Sequence, residues 1–143
     1  MDIKPRQLEI IEAAGQLVTE DGFAALTTKR LAERMHFTEA ALYRHFKSKE
    51  EILVTMLHHL ATNMDERLAR VAEEHPDPVE RVGAMFDSQF AFFQKHPQYL
   101  MAIFATGVLE ASHGIDAGIE RIMVVKRRHL LNAIKEGQRS GAF

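Results

Sequence analysis

Apolar residues recur at three- and four-residue steps along nearly the whole chain, and no stretch of four or more residues alternates apolar with polar as a half-buried strand would. The spacing predicts an all-α protein. It is clearest at Leu53, Leu57, Leu60, Met64, Leu68 and Val71, which describe one long helix. At 143 residues with 46% hydrophobic side chains, the chain suffices for one domain, or for a small head and a modest body around a real core. It has no cysteine, which excludes a disulfide scaffold, thiolate metal sites and cysteine nucleophiles. No apolar run approaches the roughly 20 residues of a membrane span. The start, Met1 to Leu8, lacks the apolar run of a signal peptide, so a cytoplasmic protein without membrane association is expected.

Punctuation residues divide the helical pattern. A first helix begins near Pro5, buries Leu8, Ile11, Ala14, Leu17 and Val18, and ends at Asp21-Gly22. Thr27 can cap a short second helix carrying Leu31 and Ala32, and Thr38 can cap a third carrying Ala41 and Leu42. Only Met35, His36 and Phe37 separate them. Ser48-Lys49-Glu50-Glu51 matches a capping box, in which Ser and Glu reciprocally satisfy the first N–H groups of the long helix. That helix breaks at His75-Pro76-Asp77-Pro78, because proline restricts the residue before it and cannot donate. A fifth helix carries Val79, Val82, Phe86, Phe90 and Phe93 and is interrupted at His96-Pro97, and a sixth carries Leu100, Met101, Phe104 and Val108. Ser112-His113-Gly114 reads as a loop. A seventh helix, from about Ile115, sets Ile119, Ile122, Lys126, Leu130 and Ile134 along one side and frays at Gly137 and Gly141.

The formal net charge of −2 conceals an uneven distribution. Residues 28–49 hold Lys29, Arg30, Arg34, Arg44, Lys47 and Lys49 against Glu33 and Glu39, a local excess of four positive charges. Such a patch is the footprint of phosphate-backbone binding or, equally, a solvated helical face. Two short helices joined by a three-residue turn, braced by the helix before them, make a helix-turn-helix. Its second helix, Thr38 to Phe46, is shaped to enter the major groove, where base edges show a readable donor–acceptor code.

The segments Leu26-Thr27-Thr28-Lys29-Arg30-Leu31-Ala32-Glu33-Arg34-Met35 and Ala41-Leu42-Tyr43-Arg44-His45-Phe46-Lys47-Ser48-Lys49-Glu50 resemble the DNA-binding signature of TetR-family transcriptional regulators. The match covers about the first third of the chain. The recognition helix is also similar to that of the family's nucleoid-occlusion branch. The resemblance implies that Thr28, Tyr43 and Lys49 contact phosphates, each with a suitable hydroxyl, phenol or ammonium. It assigns base reading to Thr38, Glu39, Ala40 and Arg44, with Lys29 nearby; Arg44 can fork onto guanine and Glu39 can accept from cytosine. Plainer roles stay open: Thr38 as a cap, Ala40 as room for close approach, Tyr43 as packing, Glu39 as an exposed charge. Two positions depart from the family. His36 stands where the turn often has glycine, a position suited to positive φ, and Glu39 stands where a small or basic residue is common.

In the family, the body binds a small effector and forms the dimer. Phe86, Phe90 and Phe93 share one helical face, and Met64, Met101 and Phe104 add bulky apolar surface, so these six are the candidate lining of a site for a hydrophobic or aromatic ligand. The competing reading is a filled core. Eight histidines show neither metal-ligand spacing nor cysteine company, and no nucleophile elbow or phosphate loop is present, so no metal, cofactor or enzymatic activity is expected.

The sequence thus predicts an N-terminal DNA-binding domain over residues 1–49 and a helical effector-binding and dimerisation body over 50–143, without the last two helices usual in the family. The expected function is that of a bacterial, nucleoid-associated repressor: a homodimer released from a palindromic double-stranded operator by a small apolar effector. The alternatives are a helical ligand- or protein-interaction module without operator recognition, and a nucleoid-occlusion-like DNA-bound factor.

Overall fold

The computed structural model describes residues 2–104 and 113–143, and among them there are helices and no strand. The order is α1 (Pro5–Asp21), a single 3-10 turn (Phe23–Ala25), α2 (Thr28–Met35), α3 (Glu39–Tyr43), α4 (Lys49–Glu74), α5 (Pro78–Lys95), α6 (Gln98–Ile103) and α7 (His113–Ser140). No helix among the described residues is long and apolar enough to cross a membrane.

The head is built on local signals. Pro5 occupies the first turn of α1, and Gly22 ends that helix at φ +85°, its N–H donating to the Val18 carbonyl at 2.8 Å. The Thr27 hydroxyl accepts from the Arg30 N–H at 3.2 Å and Thr38 from the Ala41 N–H at 3.1 Å, so both expected caps close their helices. Ile10, Leu17, Leu26, Leu31, Leu42 and Phe46 form the buried centre of the head.

The recognition helix is shorter than Thr38–Phe46. After Tyr43 the bonds tighten: Arg44 N–H reaches the Ala41 carbonyl at 3.3 Å and His45 N–H that of Leu42 at 3.0 Å. Phe46 then turns inward, which pulls the chain out of the helical path. At α4 the Ser48 hydroxyl accepts from the Glu51 N–H at 3.2 Å, as expected. The Glu51 carboxylate, however, accepts from the N–H of Lys47 (2.7 Å), so the box closes one residue earlier than its usual partner.

α4 is the spine of the molecule, packing against α1, α5, α6 and α7. Against α7 the approach is close enough that a Cβ on Gly118 would stand 3.1 Å from Leu57. Asp65 of α4 receives His129 Nε2 at 2.7 Å and Arg128 at 2.5 Å. His129 first, then Arg128, holds the Asp65 carboxyl below the usual carboxylate range. These contacts turn Gly118, Ile122, Val125, His129 and Ala133 inward, at steps of four, three, four and four residues.

Three expectations for α7 therefore change. Its buried stripe is Ile115, Ile122, Val125 and Ala133, with Ile119, Lys126 and Leu130 half-buried and Ile134 exposed. His113 and Gly114 are helical, not loop. Gly137 is not a fraying end but a buried contact, because the Phe143 ring folds onto it where a Cβ would overlap. Val108 and Ser112 lie outside the described residues.

Candidate nucleic-acid interface

The turn between α2 and α3 depends on one residue in a disfavoured conformation. His36 sits at φ 57°, ψ 37°, the only non-glycine residue at positive φ among those described. Its N–H bonds to the Glu33 carbonyl at 3.2 Å, and the Phe37 N–H reaches back to Ala32 at 2.8 Å. This is a Schellman closure, which normally favours glycine. The left-handed backbone suspected at His36 is present. What holds it is the packing beyond: Phe37 stacks on His45 with ring centroids 6.2 Å apart, and the Arg6 guanidinium lies 5.6 Å over Phe37. Gln7 Nε2 donates to the His45 carbonyl at 3.2 Å, tying α1 to the end of the recognition segment. Arg6 and Gln7 are supports that sequence reasoning missed, since their partners lie more than thirty positions away.

Two of the candidate phosphate ligands meet. Tyr43, 46% exposed, donates from its hydroxyl to Thr28 Oγ1 at 3.4 Å, linking the end of α3 to the start of α2. Lys49, at the first turn of α4, sets its ammonium 5.0 Å over the Phe23 ring, and its partial burial lowers its pKa from the ordinary lysine value. Lys29, Thr38, Glu39, Ala40 and Arg44 are exposed. No ion pair engages Lys29, Glu39 or Arg44 among the described residues. The Thr38 hydroxyl is occupied as the α3 cap, which gives it the structural role anticipated as the alternative.

The basic patch is smaller than the segment count. Arg30 pairs with Asp21 at 2.6 Å, and Arg34 binds Glu20. Both carboxylates come from the end of α1, outside the counted segment. The Arg34 hydrogen bond lowers the pKa of Glu20, and Glu20 raises that of Arg34. Of the six cations of the segment, Lys29, Arg44, Lys47 and Lys49 have no ion pair among the described residues.

The structure does not gather the six residues expected to line a ligand site. Met64 is sealed in the core at 1% exposure, and Phe93 and Met101 are half-buried against that core. Phe86, Phe90 and Phe104 are 50%, 72% and 74% exposed. The cause lies on α4, where half-buried Arg67 needs polar partners. It bonds Asn63 Oδ1 (2.6 Å), Ser88 Oγ (2.8 Å), the Ser88 carbonyl (3.2 Å) and Gln89 Oε1 (2.9 Å), and lies 4.3 Å over Phe92. That contact presents the Met85, Ser88, Gln89 and Phe92 face of α5 to α4 and leaves the Phe86 and Phe90 side outside.

Residues 10–56 match the family described as bacterial regulatory proteins, tetR family. Among curated proteins, the chain is similar to the nucleoid occlusion factor SlmA of Vibrio vulnificus (strain YJ016), 32% identical over 93 residues, and to that of Aliivibrio fischeri (strain MJ11), 30% identical over the same length. Each alignment covers 64% of this chain and 47% of the relative, so the chain spans about half the length of these proteins. Among solved structures, it is similar to the TetR family transcriptional regulator PfmR from Thermus thermophilus, with TM-score 0.80 and 24% identity over 94% of this chain and 72% of that one. The fatty acid degradation regulator FadR from Bacillus halodurans superposes with TM-score 0.82 and 17% identity over 100% and 74%. These two likenesses establish a common fold.

Proposed function

We propose, from the premise that this chain carries the head of a tetR-family regulator, that it is a sequence-specific DNA-binding repressor acting as a homodimer on a palindromic operator. The observation that carries the reading is the α2–α3 edge, where Thr28 and Tyr43 meet on a helix pair that also carries exposed Lys29, Glu39 and Arg44, none of them in an ion pair among the described residues. In this reading Thr28, Tyr43 and Lys49 hold phosphates, while Glu39, Ala40 and Arg44, with Thr38 and Lys29 at the flanks, face base edges. Residues 1–49 recognise DNA. Residues 50–143 pair two copies in the bacterial cytoplasm, since two recognition helices must lie about 34 Å apart to meet successive major grooves. Exposed Phe86 and Phe90 on α5, and Met123 and Leu131 on α7, supply apolar surface for that pairing. A small apolar effector releases the repressor if it prefers the conformation with the wrong head spacing, because equal affinity for both states shifts nothing.

Selection from a random double-stranded DNA pool at near-physiological salt tests this. An enriched inverted repeat is expected, and no enrichment from folded protein would sink the reading. Replacing Tyr43 and Lys49 together should then weaken binding to all sequences alike and flatten its salt dependence, whereas Arg44→Ala should relax preference at one base position. A second reading, DNA binding as a platform for a protein partner, is favoured by the likeness to nucleoid occlusion factors. It predicts dispersed genomic sites in place of sites confined to promoters.

A further inference from the structure

α1 and α6 touch at Gly15, where a Cβ would stand 2.8 Å from Gln98 Cγ. Beside that contact lies a groove of about 560 Å³, within the range of small-molecule sites. One wall is α1, with Leu8 and Ile11 as apolar surface and Glu12 as a charged group; His59 of α4, Pro97 and Tyr99 are among the residues opposite. Tyr99 is buried except for a small remainder, and its hydroxyl has no hydrogen-bond partner among the described residues. Burial first, and then the negative charge of Glu12, pushes its pKa up to about 12, so the hydroxyl stays neutral. His59, 6.4 Å from Tyr99 between ring centroids, is held toward its neutral form by its own burial. A second carboxylate in the lining, Glu20, is already committed to Arg34, while Glu12 has no ion pair among the described residues. Lys95 is the one lysine or arginine in the lining, and it and Glu12 are both solvent-exposed.

We propose that this groove binds a small amphipathic amine, its ammonium between the Glu12 carboxylate and the Tyr99 hydroxyl oxygen and its apolar body against Leu8, Ile11 and Pro97. An anionic ligand would bring its charge against Glu12 on the wall of the groove, with Lys95 as the one lysine or arginine to receive it. The groove joins the two halves of the chain, since α1 packs on α2 of the head and α6 belongs to the body. An occupant therefore sets the spacing of α1 from α6 and with it the seat of the helix-turn-helix. This coupling, unlike the binding itself, rests on the DNA-binding reading above.

Calorimetric titration of the full chain tests the site with three probes of one shape: phenethylamine, 2-phenylethanol and phenylacetate. Saturable binding of the amine in the millimolar range is expected, with the alcohol weaker and the carboxylate weakest. Glu12→Gln should weaken the amine at least tenfold and Tyr99→Phe severalfold, with helicity and melting temperature retained, since both changes are close to isosteric. Equal or tighter binding of phenylacetate overturns the proposal, as does an amine affinity unmoved by Glu12→Gln or an absence of saturable binding by all three probes. Coupling is read separately, as an amine-dependent change in affinity for the selected DNA that Glu12→Gln abolishes. Amine binding without that change overturns the coupling and leaves the site.

Discussion

The helix starts of the head and the helix contacts of the body are secured by different kinds of polar contact. In the head, Thr27, Thr38 and Ser48 each close a helix by accepting an N–H three residues ahead. In the body, Arg67 reaches across to Ser88 and Gln89, Asp65 gathers Arg128 and His129, and Arg81 binds Glu136. A cap is specified by neighbours in sequence, whereas these body contacts join residues 21 to 64 positions apart. The helix starts of the head are thus built from short-range rules, whereas the bracing of its turn by Arg6 and Gln7 and the choice of the body face left outside are decided by long-range ones.

The largest break in that comparison should come at Arg67. Arg67→Ala leaves the polar groups of Asn63, Ser88 and Gln89 facing α4 without their donor and uncovers Phe92, and should destabilise the fold by about 2–3 kcal/mol in urea unfolding. Sequence preference of the surviving folded protein should be unchanged, since the partners of Arg67 lie on α4 and α5 and not on the α2–α3 edge. A smaller loss is expected from Thr38→Ala, about 1 kcal/mol by the same measurement, because one N–H at the start of α3 loses its acceptor. Thr38→Ser restores the cap; if it also restores an altered base preference, Thr38 acts only through the helix start. His36→Gly should stabilise by about 0.5–1 kcal/mol, since glycine adopts the left-handed turn without the Cβ penalty, though it loses more chain entropy. A melting temperature unchanged or lowered would mean that contacts of the His36 side chain offset the backbone strain.

The smallest effect is a pH dependence at the junction of the two halves. Burial lowers the pKa of His59 below its ordinary 6.5, partly opposed by the charge of Glu66. The unfolded chain therefore takes up the proton first. This contribution to stability is complete above pH 6.5 and declines as pH falls through that value toward the folded one. Melting temperatures between about pH 7.5 and 5.5 should fall more steeply for the parent chain than for His59→Gln. Asp65 acts in a separate window: its pKa is lowered from 3.8, so its contribution is present above that value and lost as pH falls below it.

What could be read in advance follows the same division. The all-α class, the break at Pro76 and Pro78, the caps at Thr27, Thr38 and Ser48, and positive φ at His36 were legible because each depends on a few adjacent residues. The size of the basic patch was not, since Glu20 and Asp21 that neutralise Arg34 and Arg30 lie in another helix. Nor was the exposure of Phe86 and Phe90. Periodicity marks an apolar stripe on α5 but does not say which of two adjacent stripes turns inward, and Arg67 made that choice from α4.

By itself, then, the sequence determined where the capped helices start, where the prolines break the pattern and which residue types stand on the α2–α3 edge, because hydrogen bonding within a turn of helix needs only local chemistry. Tertiary structure alone decided which cations remain unpaired, which aromatic rings meet solvent, and that Glu12 and Tyr99 share a groove between α1 and α6. Those outcomes depend on the rotation and approach of whole helices, which are fixed by partners brought together only when the chain folds.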